Sequence, residues 1–242
     1  MPRRARSNSD RHLSRRDTQI LVNTPIEQRP LGEEVADHIR QAILSGKYEP
    51  GSSVRADVIG ELLSISPTPV REALHSLKVE GFLRLAPRRG FTVASLTPND
   101  ILDIFRAHAL IAGELAARAA EQVTPEDLAE LDEIHQALLE AAAVGDTERL
   151  ERWNHMFHRK VYLLAQSPRL RFTLGTFSKY VPRSFYAQVE GWPSATERDH
   201  SAVLDALRAR DASASRQAME RHVMNAGKLL AEHVARRVAS DT

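Results

Sequence analysis

The sequence predicts a mainly α protein: an N-terminal winged helix-turn-helix followed by a C-terminal all-α bundle of about six helices. Two observations carry this reading. Three short helical segments and an arginine-tipped hairpin fill residues 29–96, whereas after Thr97 the apolar pattern has the helical period and no strand signal survives. Charge separates the same two regions. Residues 1–97 hold 15 Lys and Arg against 11 Asp and Glu, and residues 98–242 hold 18 against 21. The expected division is a basic tail over 1–28, a winged helix-turn-helix over 29–96 and a helical domain over 97–240.

The opening "MPRRARSNSDRHLSRRD" has six arginines, three serines and almost no apolar residue, so disorder is expected there. Such a tail either adds phosphate contacts or is merely solvated. Order is expected from "RPLGEEVADHIRQAILSGKYEPG", where Leu31, Val35, His38, Ile39, Ala42 and Ile43 fall at helical spacing and Gly46 supplies a stop. The Glu49, Pro50, Gly51 triplet is a turn signal. A second short helix is predicted over 57–63 and a third over about 67–80. Gly81 ends it, and "FLRLA" and "FTVASL" read as strands joined by "PRRG". Helices are then predicted over 98–122, 125–143, 146–166, 168–190, 194–210 and 211–238. Thr97 before Pro98, Thr124 before Pro125, Ser167 before Pro168, and Asp146 and Asp211 are helix-start chemistry.

Hydrophobic residues make up 42% and charged residues 27% of the 242, the profile of a soluble globular protein. No apolar run approaches the roughly 18 residues that cross a bilayer, and no secretory pattern is present, so no membrane association and a cytoplasmic location are expected. Without cysteine there are no disulfides and no thiolate ligands. Any metal must be held by imidazole, carboxylate or amide groups.

"SISPTPVREALHSLKVEGFLRLAPRRGFTV" has the residue types of a DNA reader. Val70, Ala73, Leu74 and Leu77 form an inward face, and Ser66 is placed to cap the helix ahead of Pro67. Thr68, Arg71 and His75 lie on the other side near the helix N-terminus. An N-terminal turn seated in the major groove needs hydroxyls for phosphates and an Arg able to hold guanine O6 and N7 together. Arg88, Arg89 and the flexible Gly90 at the wing tip suit backbone or minor-groove contact. The basic half therefore points to double-stranded DNA.

Here the chain resembles a known family. "GKYEPG", "TPVREALHSLKVEGF" and "PRRGFTV" are similar to the DNA-binding domain of the GntR superfamily of bacterial repressors. The resemblance implies a ligand-responsive regulator, most often a repressor, that binds a palindromic operator as a homodimer. Relatives commonly carry Arg directly after the cap serine. This chain has Pro67, so that contact does not carry over.

In the helical domain, His158 lies four residues after Asn154, one turn along the same face. His200 precedes Val203, Leu204 and Leu207 on an apolar stripe, and His222 shares a face with Ala218, Met219, Ala226 and Leu229. Spacing alone leaves two readings: separate hydrogen-bonded core imidazoles, or convergence on a divalent transition ion such as zinc or nickel. His155 is expected at the surface. The resemblance favours convergence. "NHMFH", "HSAVLDALRARD" and "MERHVM" look like the metal-binding segments of the FCD effector domain in the FadR-like branch, which implies Asn154, His158, His200 and His222 as ligands. Many relatives have Asp at position 154. A small carboxylate effector is implied beside the metal. Relatives often place Arg and, four residues on, Glu at that pocket. His108 and Ala112 stand near those positions here, with Arg106 and Glu114 displaced by two, so Arg106 and His108 are the effector-binding candidates. Two other readings remain: a hydrolytic metalloenzyme, against which no "HExxH" pairing of ligand and base appears, and a DNA-binding protein without an effector.

Overall fold

The computed structural model describes residues 30–87, 90–181, 189 and 191–240. The tail over 1–28 and the wing-tip residues Arg88 and Arg89 lie outside the described residues. The reader is built from α1 (Leu31–Leu44), β1 (Ser53–Val54), α2 (Ala56–Leu63), α3 (Pro67–Val79), β2 (Leu83–Ala86) and β3 (Gly90–Val93). The strands form one antiparallel sheet in the order β1-β3-β2, with Leu83 opposite Val93 and Val54 opposite Phe91. The expected two-stranded ribbon thus gains a third strand. β1 is two residues long, too short to show alternation in a sequence.

The reader's core joins Val35, Ile39 and Ile43 of α1, Ile59 of α2, Val70, Ala73, Leu74 and Leu77 of α3, and Phe82, Leu83 and Val93 of the wing. Every inward position predicted for the recognition helix α3 is buried. Ser66 occupies the α3 N-cap with extended backbone, yet its side chain makes no cap hydrogen bond. Pro67 and Pro69 stand at the first and third helical positions, so of the two N–H groups that a cap serine can bind only that of Thr68 exists, and Ser66 does not take it.

The helical domain comprises α4 (Pro98–Gln122), α5 (Pro125–Ala143), α6 (Thr147–Leu164), α7 (Pro168–Ser178), α8 (Trp192–Arg208) and α9 (Ala212–Ser240). Two starts are full capping boxes. Asp100 N–H donates to Thr97 Oγ1 at 3.1 Å while Thr97 N–H donates to Asp100 Oδ2 at 2.8 Å, and Thr124 and Asp127 repeat the pattern. The core runs from Phe105, Leu115 and Ala116 of α4 through Phe157 and Val161 of α6 to Leu204 of α8 and Met219 and Val223 of α9. α4 and α9 approach closely because glycines stand at the crossing. A Cβ on Gly227 would lie 2.5 Å from Phe105 Cβ.

One predicted helix is too long. The reading over 168–190 gives way to a helix that ends at Ser178, with Lys179 and Tyr180 in a turn that reaches the reader. Pro182, which has no N–H and disfavours helix at Val181, already marks a stop. Tertiary docking of Lys179 and Tyr180 brings it forward.

Candidate metal centre and DNA interface

Three helices bring three imidazoles together. His158 on α6, His200 on α8 and His222 on α9 offer ring nitrogens that all lie within 4.8 Å of one another, with His200 and His222 buried. The Nε2 atoms of His158 and His222 are 3.0 Å apart. His200 stacks on Phe157 at 3.9 Å between centroids, and neither of its ring nitrogens has a hydrogen-bond partner. Asn154 Oδ1, one turn before His158, is likewise buried and unpartnered. His155 is exposed, as its phase on the helix requires.

Neighbouring groups fix the rings from behind. Tyr162 Oη lies 3.1 Å from His158 Nδ1 and also donates toward Met219 Sδ at 3.8 Å. His222 Nδ1 lies 3.4 Å from Asp199 Oδ2, and that oxygen accepts from Asn225 Nδ2 at 3.0 Å. With protons on the two Nδ1 atoms facing Tyr162 and Asp199, the two Nε2 lone pairs point at each other across 3.0 Å. A cation or a shared proton relieves that repulsion. Nitrogens about 2.0–2.1 Å from one tetrahedral zinc ion lie about 3.3 Å apart. The donor set therefore fits a divalent transition ion: three imidazoles, an amide oxygen within one turn, and a carboxylate behind one ligand.

Protonation is disfavoured at the same place. Burial, reinforced by the neighbouring His222 and His108, pushes the His158 imidazole well below its ordinary value. Burial and the charges of His222, His158 and His135 do the same to His200. Both are thus held neutral, the form in which an imidazole can bind a metal. His108, reached from α4, is lowered to about 4 by burial and by His222, and its Nδ1 is buried without a partner. Its ring sits 6.0 Å from Phe105 and 6.5 Å from Phe177. Arg106 does not join it. Two positions away on α4, it faces outward at 70% exposure beside Asp103, and Glu114 pairs with Arg118 and Arg216. Of the two effector candidates the structure brings only His108 toward the histidines. Sequence reading missed Tyr162, Asp199 and His135. Tyr162 was visible as a tyrosine four residues after His158, whereas nothing in the sequence couples Asp199 to His222.

On the reader, Ser66, Thr68, Arg71 and His75 are all exposed along one side of α3, opposite the core face. His75 packs edge-on against Phe91 of β3 at 5.3 Å, which ties the recognition helix to the wing. Gly90 opens β3 with φ +74, a conformation that favours glycine.

An exposed recognition helix beside a wing, joined to a bundle with a histidine-lined interior, is the architecture of a DNA-binding transcriptional regulator. The chain belongs to the GntR family of bacterial regulatory proteins, in the group that carries an FCD domain: residues 31–93 match the first family and residues 103–225 the FCD domain. It is 32% identical over 137 residues to the HTH-type transcriptional regulator McbR of Escherichia coli, a match covering 57% of this chain and 62% of that protein. It is 28% identical over 224 residues to the Exu regulon transcriptional regulator of E. coli, covering 82% and 84% of the two chains. The solved E. coli McbR/YncC structure superposes with a TM-score of 0.65 at 26% identity, over 86% of this chain and all of that one. These families and relatives are regulators rather than enzymes. Among the described residues no helix is long and apolar enough to cross a membrane.

Proposed function

We propose that this regulator is a repressor whose helical domain senses a small carboxylate through a divalent metal, with zinc or nickel as the ion. Asn154, His158, His200 and His222 would hold the metal. The observation that carries this is the convergence of three imidazoles, one with both nitrogens unpartnered, at ligand spacing. A bound ion supplies a Lewis-acidic positive charge for the effector's carboxylate. Four neutral donors cancel none of that charge, and Asp199 behind His222 offsets part of it. His108 offers the effector a neutral polar contact.

The reading divides the chain into a tail over 1–28, a reader over 29–96 and a sensor and dimerisation domain over 97–240. Two reader domains in a homodimer would place two α3 helices on a palindromic operator. Thr68 and Arg71 would enter the groove, Ser66 and His75 would flank it, and Arg88, Arg89 and Gly90 of the wing would lie on the backbone. Ser66 supports this assignment, because its hydroxyl is not consumed by a cap.

Metal analysis of the purified protein, with zinc titration of chelator-treated samples, tests the sensor. Zinc at about 100 times its Kd stabilises by about 2.7 kcal/mol, which in a chain of this size raises Tm by about 5–11 °C. His200→Ala should abolish that rise. A wild type that neither retains nor takes up zinc or nickel would remove the metal from this reading and leave the DNA interface standing.

A further inference from the structure

We infer that Lys179 and Tyr180 are positioning residues: they clamp the C-terminal end of the recognition helix to the helical domain, and Phe177 ties the same turn to the histidine pocket. The second half rests on the sensor reading above. The first does not.

Glu80 is the C-cap of α3, with its side chain only 8% exposed. Its carboxylate takes Lys179 Nζ at 2.5 Å from the helical domain and Arg40 Nη2 at 2.6 Å from α1. Burial opposes ionisation there, but the hydrogen bonds from Lys179 and Arg40 prevail and hold the carboxyl below its usual value. The Tyr180 hydroxyl donates to the Glu80 backbone carbonyl. Its ring stacks on Phe82 at 4.6 Å with 25° between planes, while the Arg40 guanidinium sits 5.7 Å from the same ring. Gly81, between these contacts, has φ +84, and a Cβ there would come within 3.3 Å of the Tyr180 hydroxyl. Three successive reader residues are thus held by two residues almost 100 positions away.

The same turn reaches the sensor. Phe177 lies near-parallel to His108, at 6.5 Å and 21°, and His108 is within electrostatic reach of His158 and His222. Tyr180 lies in the turn that closes α7, where its N–H donates to the Phe177 carbonyl at 3.0 Å, so a displacement of the Phe177 ring by a pocket ligand moves the clamp with it. The clamp bears on the end of α3 opposite Thr68 and Arg71. A small rotation there becomes a change in how the N-terminal turn meets the groove.

The test uses Lys179→Met, Tyr180→Phe and the double variant Lys179→Met/Tyr180→Ala. The natural chain has no cysteine, so Leu62→Cys and Val144→Cys, one in each domain, accept spin labels cleanly. Labelled protein is diluted into unlabelled protein so that each measured distance lies within one chain. A narrow distance distribution in wild type and a broad one in the double variant, at unchanged helical content, is the expected result. Tyr180→Phe, which keeps the ring stack, should fall between them. A double variant with the wild-type distribution overturns the clamp. Zinc alone is then added, with operator affinity measured on DNA selected from a random library. The wild type should change affinity within the about 5- to 150-fold range of coupled sites, and the double variant by less than about twofold at equal zinc affinity. Equal responses in both proteins overturn the relay through Phe177. Failure of wild type to bind zinc overturns the sensor reading, while the distance comparison still decides the clamp.

Discussion

Metal-free protein should lose stability steeply on mild acidification, and one residue provides a measurable share of that loss. His108 is held neutral in the fold, with its value lowered from 6.5 to about 4 by burial and by the neighbouring His222. In the unfolded chain it titrates at the ordinary value. As pH falls through 6.5 the unfolded chain binds a proton that the folded chain refuses, so stability drops until about pH 4, where the folded chain binds it too. Each pH unit of that gap is worth about 1.36 kcal/mol, which gives about 3 kcal/mol of lost stability at pH 4 relative to pH 7.5. For a chain of this size that corresponds to about 6–12 °C in Tm. His158 and His200 act in the same direction, so the whole protein loses more.

The assay compares wild type with His108→Phe, which places a ring of similar size between Phe105 and Phe177 without a titrating group. Chelator-treated samples are melted at pH 7.5, 6, 5 and 4. The variant's fall in stability over that range should be smaller than the wild type's by about 3 kcal/mol. Parallel curves for the two proteins would show that His108 is not held neutral, and with it would go the dry, electrostatically coupled pocket.

Gly227→Ala should destabilise, because the new Cβ would sit 2.5 Å from Cβ and 2.6 Å from Cγ of Phe105, atoms that cannot swing aside. Overpacking of that kind costs about 1–3 kcal/mol, offset by about 1 kcal/mol of helix propensity, and a urea midpoint at or above the wild type's would contradict the close α4–α9 crossing. Arg71→Ala should cost about 1–3 kcal/mol on the selected operator and far less on random DNA. Equal binding of both DNAs by variant and wild type would place recognition elsewhere. Asn154→Asp should tighten zinc binding in a competition titration and weaken carboxylate binding to the zinc-loaded protein, since it cancels one unit of the site's charge. Unchanged zinc affinity would remove Asn154 from the ligand set.

What the sequence revealed of the fold follows the range of each signal. The starts of α4 and α5 were legible because a capping box is chemistry within four residues, and Thr97 with Asp100 carries it whole. The inward face of α3 was legible from period alone. The end of α7 was not, because it is set by Glu80 and Phe82 from the other domain. The failed Ser66 cap belongs to a third class. Pro69 in the sequence already removed one of the two donors that a cap serine can use, and the helix-start rule had to be checked against the donors it needs.

The histidines divide in the same way. Helical phase turned His200 and His222 toward the core, but phase does not fix depth along a helix, and it was the resemblance to the FCD segments that singled out His158, His200 and His222 as one group. Arg106 stands two positions from the family's place, which turns a side chain about 200° around the helix, and here it is exposed beside Asp103. The groups behind the rings, Tyr162 beside His158 and Asp199 beside His222, have no pattern of their own. Their role exists only once the helices have packed. On the proposed reading that matters for function, because four neutral donors would leave charge balance to groups outside the ligand set. Asp199 is the carboxylate that faces His222. With a divalent ion in place, a single negative charge would remain to be supplied at the pocket, and a monocarboxylate effector would supply it. A dicarboxylate would bury a second charge in a bundle where, among the described residues, no lysine or arginine is buried to receive it.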